Sequence, residues 1–292
     1  MISFDLFLQQ LLSGLVVGSS YVLMAAGFSL IWGIMSVLNL AHGEFFMLGA
    51  YSTFYLATLL GLNPIISCLI SMVILFVLGI LFQQVLVRPL VGRQGWQIDT
   101  VLITIGASIF LQNFALIVFG KDYKGLPPLY EETFNIGPVF LAYDRLLVLA
   151  VGICLIIFLW FFIKYTKTGM AIRAVSENLQ SAYLAGINIK KIFMICFGLS
   201  AAFAGAAGAL LAPVFFIFPT VGAGPLLMAF AVVIFGGLGS INGAIYAGFL
   251  VGVVESMLVM FTTSAWKDAG VFALVILVLA IKPKGLFGIK AE

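Results

Sequence analysis

Ionisable and amide side chains are scarce in this sequence, and three of them stand close together. Asn39, His42 and Glu44 fall in GIMSVLNLAHGEFFMLGAY, the stretch from Gly33 to Tyr51. An amide, an imidazole and a carboxylate at such spacing can bind a polar solute, hand on a proton or bond to nearby backbone. Other chemistry is missing. His42 is the only histidine, which excludes imidazole-rich metal sites and the HExxH pair of a metalloprotease. No serine adjoins it in sequence to make a nucleophile and base pair. A phosphate-binding loop needs Gly, four residues, then Gly-Lys-Ser/Thr. Here Gly120-Lys121 is followed by Asp122 and preceded at the required position by Ala115. We therefore expect no catalytic residue, no metal and no cofactor bound by this chain.

Glu255 is a further candidate, as the one charged residue of its apolar run. A carboxylate at membrane depth is costly unless it is paired, neutralised or wetted. It faces a hydrated cavity in one reading and bonds to a neighbouring helix in the other. The group at 39–44 also has two readings. It lines or gates a permeation path, or it forms an N-cap and interfacial turn, with Asn39 capping a helix and Glu44 near that helix's positive end. Asn242 joins the path candidates through a faint internal echo. Gly33, Asn39, Gly43, Gly49 and Ala50 are matched in type by Gly236, Asn242, Gly243, Ala247 and Gly248, as a parallel repeat would produce.

The elements that hold these residues are set by composition. Of 292 residues 63% are apolar and only 9% charged, with mean hydropathy +1.24. A soluble surface normally uses about a quarter charged residues, so water cannot be the main solvent. In hydrocarbon each crossing must satisfy its own backbone, which leaves helices or a closed barrel. Long continuous runs near the roughly 20 residues that span a bilayer select helices. The runs are 6–31, 45–60, 65–87, 100–119, 146–163, 192–211, 226–235, 244–261 and 269–281. The fold expected is an all-α integral membrane protein, a polytopic bundle of about eight or nine transmembrane helices. The first run and the two short late runs are the ones open to being broken or re-entrant. The first ten residues hold no Lys or Arg, so the first run is expected to stay in place rather than act as a signal peptide. Cys68, Cys154 and Cys196 lie inside apolar runs without metal-ligand spacing and read as small buried hydrophobes.

Short loops rich in Lys and Arg stay on the cytoplasmic side. Lys164, Lys167, Arg173, Lys190 and Lys191 crowd one loop, Arg88 and Arg93 another, and Lys282, Lys284 and Lys290 the tail. This orientation puts the N-terminus outside and the C-terminus in the cytoplasm. It leaves 120–144 as an extracytoplasmic loop bearing Asp122, Glu131, Glu132 and Asp144. No linker interrupts residues 1–292, which read as one domain. Asp99 begins its run and fits a helix N-terminus.

The cytoplasmic loop 164–191 has its own pattern. Ile172, Val175, Leu179 and Ala182 recur at helical spacing, with Arg173, Glu177, Gln180 and Ser181 on other faces. One short amphipathic helix is expected, ended by Gly186. Its stripe must be covered, by lipid headgroups or by a partner's groove.

Two segments together resemble a known family. GIMSVLNLAHGEFFMLGAY, and GMAIRAVSENLQSAYLAGI followed by FGLSAAFAGAAGALLAP, are similar to a branched-chain amino acid ABC transporter permease of the LIV type. The late VVIFGGLGSINGAIYAGFLVGVVE and the terminal KPKGLFG extend the resemblance over nearly the whole chain. It implies an importer of the bacterial inner membrane for leucine, isoleucine and valine. A second homologous permease subunit, two cytoplasmic ATP-binding subunits holding ATP and Mg, and an extracytoplasmic solute-binding protein complete it, with no nucleic acid. Arg173, Glu177, Asn178 and Gly186 are then in the loop that docks on the ATPase, although they depart from the Glu-Ala-Ala and Gly spacing of broader ABC importers. The same class carries urea, short amides or sugars, and an ion-coupled carrier using His42, Glu44 or Glu255 is the other reading.

Overall fold

The computed structural model describes residues 4–127, 133–136, 139–263 and 266–287; Glu131, Glu132 and Lys290 lie outside these. All nine expected runs are helical. In chain order the elements are α1 (Phe4–Met35), α2 (His42–Leu60), α3 (Pro64–Phe82), α4 (Trp96–Phe119) and α5 (Tyr143–Tyr165). Then follow α6 (Lys167–Glu177), α7 (Leu179–Leu184), α8 (Ile189–Leu211), α9 (Ala223–Gly236), α10 (Ile241–Phe261) and α11 (Lys267–Ile281). A π-helical turn, Gln83–Val87, continues α3, and the all-α reading gains one exception, an antiparallel hairpin of β1 (Thr133–Ile136) and β2 (Val139–Ala142) inside the loop 120–144.

Among the described residues six helices are long and apolar enough to cross a membrane: α1, α3 with its π turn, α4, α5, α8 and α10. At 1.5 Å per residue the 14 residues of α9 reach about 21 Å and the 15 of α11 about 22 Å, short of the roughly 30 Å of hydrocarbon. Six full-length spans thus stand where eight or nine crossings are expected, and the difference lies in α2, α9 and α11.

Burial separates centre from rim. The most apolar stretch of α1 is 89% buried and that of α8 83%, against 11% for α4. Lipid gives no hydrophobic reward for helix pairing, so the centre is held by close van der Waals packing of small residues. Gly14 and Gly18 of α1 cross Gly248 and Gly252 of α10. A Cβ on Gly14 would lie 2.7 Å from Val253 Cα, and one on Gly18 would lie 3.1 Å from Gly248 O. In α8 the sequence GLSAAFAGAAGALL is buried for most of its length, which lets α1, α2 and α3 all approach it. Cys68 and Cys196 are buried as expected, but Cys154 is exposed, on the face of α5 that turns away from the bundle along with Ile153, Ile157 and Phe158.

Candidate functional site

The chain leaves α1 through Ser36, which holds φ +52°, the left-handed region that costs a side-chain-bearing residue about 1–2 kcal/mol. The amide of Ser36 bonds to Trp32 O at 2.8 Å, closing the helix, and residues 36–41 then turn back into the bundle. His42 fixes the depth of this turn. Its Nε2 lies 3.0 Å from the carbonyl of Met24, and its Nδ1 lies 3.3 Å from Ser200 Oγ, midway along α8. Met24 is eleven residues before the end of α1, or about 16 Å along its axis. The first turn of α2 therefore starts beside the middle of α1 rather than at the bundle's edge. Asn39, His42 and Glu44 are all buried.

This corrects the reading of the group as an interfacial turn capped by Asn39. Ala41 occupies the N-cap position and makes no side-chain bond. Asn39 instead accepts the Ala41 amide on its Oδ1 at 3.1 Å and the His42 amide on its carbonyl at 3.2 Å, and its Nδ2 has no partner. The sequence also offered His42 no serine, yet the fold brings Ser200 to it. Both residues are fully buried, so the pair is a packing contact between α2 and α8.

Glu44 faces α4. Its Oε1 accepts from Gln112 Nε2 at 2.8 Å and Ser108 Oγ at 2.9 Å, while its Oε2 is buried without a partner. One turn lower, Thr104 Oγ1 accepts the Leu40 amide at 3.2 Å. Thr104, Ser108 and Gln112 recur every four residues and so share one face of α4. Apart from this face α4 has little hold on the bundle, and Leu102, Ile105, Ile109, Phe110, Phe114 and Ile117 are exposed. The stripe was not singled out in the sequence reading. Its signal is the polar residue at each fourth position within TVLITIGASIFLQ, starting with Thr100. Beyond Gln112, a cavity of about 280 Å³ lies between the end of α4 and residues 218–220, lined also by Asn113, Lys121, Tyr123 and Thr220.

Two other candidates lie elsewhere. Glu255 is buried and ion-paired with Lys267 at the start of α11, so it bonds to a neighbouring helix rather than facing a cavity. Removing one partner of such a pair leaves an uncompensated charge, whereas replacing both does not. Lys267→Met is expected to destabilise the protein by about 1–3 kcal/mol, a value reduced because Lys267 is partly exposed. The double variant Lys267→Met/Glu255→Met is expected to recover most of that loss in thermal unfolding of the detergent-solubilised protein. A double variant no more stable than the single would show that the pair is not what neutralises Glu255. Asn242 is exposed in the first turn of α10, whereas Asn39 is buried ahead of α2, so the echo in residue type is not an echo in environment.

The basic loop also departs from expectation. Instead of one helix, α6 and α7 meet at Asn178, whose extended backbone (φ −155°) breaks the first and whose Oδ1 caps the second through the Ser181 amide at 2.8 Å. Gly186 ends α7 at φ +81°. The amides of Gly186 and Ile187 bond back to Tyr183 O and Ala182 O at 3.0 and 3.1 Å, a Schellman closure. Ile172, Val175 and Ala182 are covered by the chain itself, so most of the stripe needs neither lipid nor partner. Leu179, Tyr183 and Leu184 stay exposed, Leu184 at 82%. Arg173 turns back and donates to the carbonyl of Lys164 at 3.2 Å, and Glu177 is exposed.

Comparison with known proteins gives a consistent result. A family model described as branched-chain amino acid transport system / permease component matches residues 10–280. The high-affinity branched-chain amino acid transport system permease protein BraD of Pseudomonas aeruginosa is 34% identical, over 97% of this chain and 96% of that protein. The corresponding permease protein LivH of Escherichia coli K12 is 32% identical over the same shares. A probable branched-chain amino acid transport permease protein of Methanocaldococcus jannaschii is 30% identical over 98% of this chain and 94% of that protein.

Proposed function

Because this chain belongs to the branched-chain amino acid transport permease family, we propose that it is the membrane-spanning subunit of an ATP-driven importer for leucine, isoleucine and valine. In this reading it sits in the bacterial cytoplasmic membrane, N-terminus outside and C-terminus inside. It pairs with a second permease and two cytoplasmic ATPases, and receives solute from an extracytoplasmic binding protein. The cargo follows from the relatives, branched-chain amino acid permeases that match nearly the whole chain.

The observation that carries the proposal is the tip of α7. An apolar patch of Leu179, Tyr183 and Leu184 stands exposed in the most basic loop of the chain, which the Lys and Arg distribution assigns to the cytoplasm. The chain's own sequence has no phosphate-binding loop, so in this reading the energy comes from a partner, and a small apolar knob fits a partner's groove. Within the loop 164–191 the docking contacts are then Leu179, Tyr183 and Leu184, with Glu177 beside them. Asn178 and Gly186 shape the knob, and Arg173 bonds back to the Lys164 carbonyl. Leu184→Glu places a charge on this contact without touching the buried side, and its expected effect is at least a tenfold loss of ATP-dependent leucine uptake with the amount of membrane-inserted protein unchanged. Unchanged uptake and unchanged co-purification of the ATPases would remove α7 from the interface.

For the path, the geometry favours the junction of α2 and α4. Glu44, with Ser108 and Gln112, lies beneath the 280 Å³ cavity at the outer end of α4, and Asn39 and His42 hold the turn that presents it. A carboxylate with one unpartnered oxygen attracts the ammonium group that every free amino acid carries. Glu255 leaves the path and takes a structural role, and Asn242 belongs to a separate cavity.

A further inference from the structure

That separate cavity, of about 460 Å³, lies where α1, α5, α6 and the start of α10 meet. Lys164 and Arg173 line it, and among the described residues neither has an ion-pair partner. No acidic residue lines it; Ser240 and Asn242 add a hydroxyl and an amide. Arg173 uses one donor on the Lys164 carbonyl, which leaves the rest of its guanidinium available. Such a lining suits an anion with several oxygens.

A second observation indicates which anion. Trp160 and Asn242 also line an adjoining groove of about 190 Å³ between α5 and α10, whose other walls are Ile156, Ile157, Ile245 and Tyr246. The polar cavity therefore adjoins an apolar groove on the outer face of the bundle, where Ile157, Phe158, Tyr246 and Leu250 are exposed. Lys164 Nζ sits 4.5 Å from the centre of the Trp160 ring, a cation–π contact that holds its charge at the junction of the two spaces. A free phosphate would occupy only part of the first space and leave the second empty. A molecule with a phosphodiester head and an acyl chain fills both.

We propose that Lys164, Arg173, Ser240 and Asn242 bind the headgroup of an anionic phospholipid whose acyl chain lies in the α5–α10 groove. Basic pockets between helices on the cytoplasmic side are suited to such headgroups. The lipid would bridge the loop that carries α6 and α7 to the body of the bundle through Arg173. The inference rests on the orientation proposed above, with the basic loop in the cytoplasm, and stands apart from the cargo and energy source.

The test is native mass spectrometry of the full-length chain in neutral detergent, titrated with phosphatidylglycerol, phosphatidylcholine or inorganic phosphate. Phosphatidylglycerol is expected to bind in preference to phosphatidylcholine. Lys164→Gln/Arg173→Gln should weaken phosphatidylglycerol roughly thirtyfold, which is about 2 kcal/mol for two charges, and leave phosphatidylcholine unaffected. The charge-keeping pair Lys164→Arg/Arg173→Lys should retain binding, which separates loss of charge from loss of fold. Ile157→Trp, which narrows the groove, should weaken the lipid while the charges remain. Three results overturn the proposal: no preference for phosphatidylglycerol, equal affinity in the Gln pair, or inorganic phosphate competing as well as the lipid. The last would make this an anion site without an acyl groove.

Discussion

Valine in place of Gly208 is expected to remove most of the folded protein from detergent extracts of the membrane. Gly208 lies where α8 passes α2, and a Cβ there would collide with the carbonyl of Phe46 and approach the Ala50 amide to 3.2 Å. These are backbone atoms of a helix and cannot rotate aside as a side-chain tip can. On the same crossing a Cβ at Gly49 would come within 2.6 Å of the Gly205 carbonyl carbon, so the two backbones touch over more than one turn. Forcing valine between them must part α2 from α8, at a cost of about 3 kcal/mol or more, the upper end for overpacking. It also displaces the first turn of α2, where Glu44 sits. Gly106 of α4 provides the control, because nothing lies within 4 Å of a Cβ there. Gly106→Val should leave the monodisperse fraction in size-exclusion chromatography near that of the unaltered chain. If the two variants behave alike, the glycine crossing is not what holds α2 in place.

The second large effect is on transport. Glu44→Ala deletes the acceptor shared by Ser108 and Gln112, and hydrogen bonds to a charged group are worth about 1.5–3 kcal/mol. If Glu44 acts in the path, losing a charge-assisted contact of that size to the solute lowers leucine uptake roughly tenfold to hundredfold, with inserted protein unchanged. Glu44→Gln keeps an acceptor but loses the charge, so it should fall between. Gln112→Ala should lower uptake by a smaller factor, and adding it to Glu44→Ala should bring little further loss, since the two act through one contact. Uptake by Glu44→Ala equal to that of the unaltered chain, at equal protein, would return Glu44 to a purely structural role.

How much of this was legible in the sequence differs by element. Each of the nine apolar runs became a helix, because backbone satisfaction in hydrocarbon leaves little choice. What run length could not show was depth. The segment at 39–44 reads equally well as an edge turn, and only the contacts of His42 with Met24 and Ser200 place it beside the middle of α1. The partners of Glu44 were missed because Ser108 and Gln112 are ordinary in an apolar run, and their meaning depends on the helix that passes them. The pairing of Glu255 is of the same kind, since Lys267 is twelve residues away across a turn. In the basic loop the period of Ile172, Val175 and Ala182 was informative. The break at Asn178 was not foreseen, because an Asn that starts a helix reads in sequence like an Asn on the exposed face of one. Exposure of Cys154 follows from the inverted surface of a bilayer protein, where an apolar residue points outward as readily as inward.

We propose that this chain is the membrane-spanning wall of an ATP-driven importer. This is tested most directly in proteoliposomes holding the chain with its partner permease and two ATPases, with the binding protein outside and labelled leucine as cargo. The account predicts uptake that requires ATP, stops with vanadate and disappears when the ATPases are left out. Uptake that persists without them, or that collapses with an uncoupler while ATP is maintained, would contradict it.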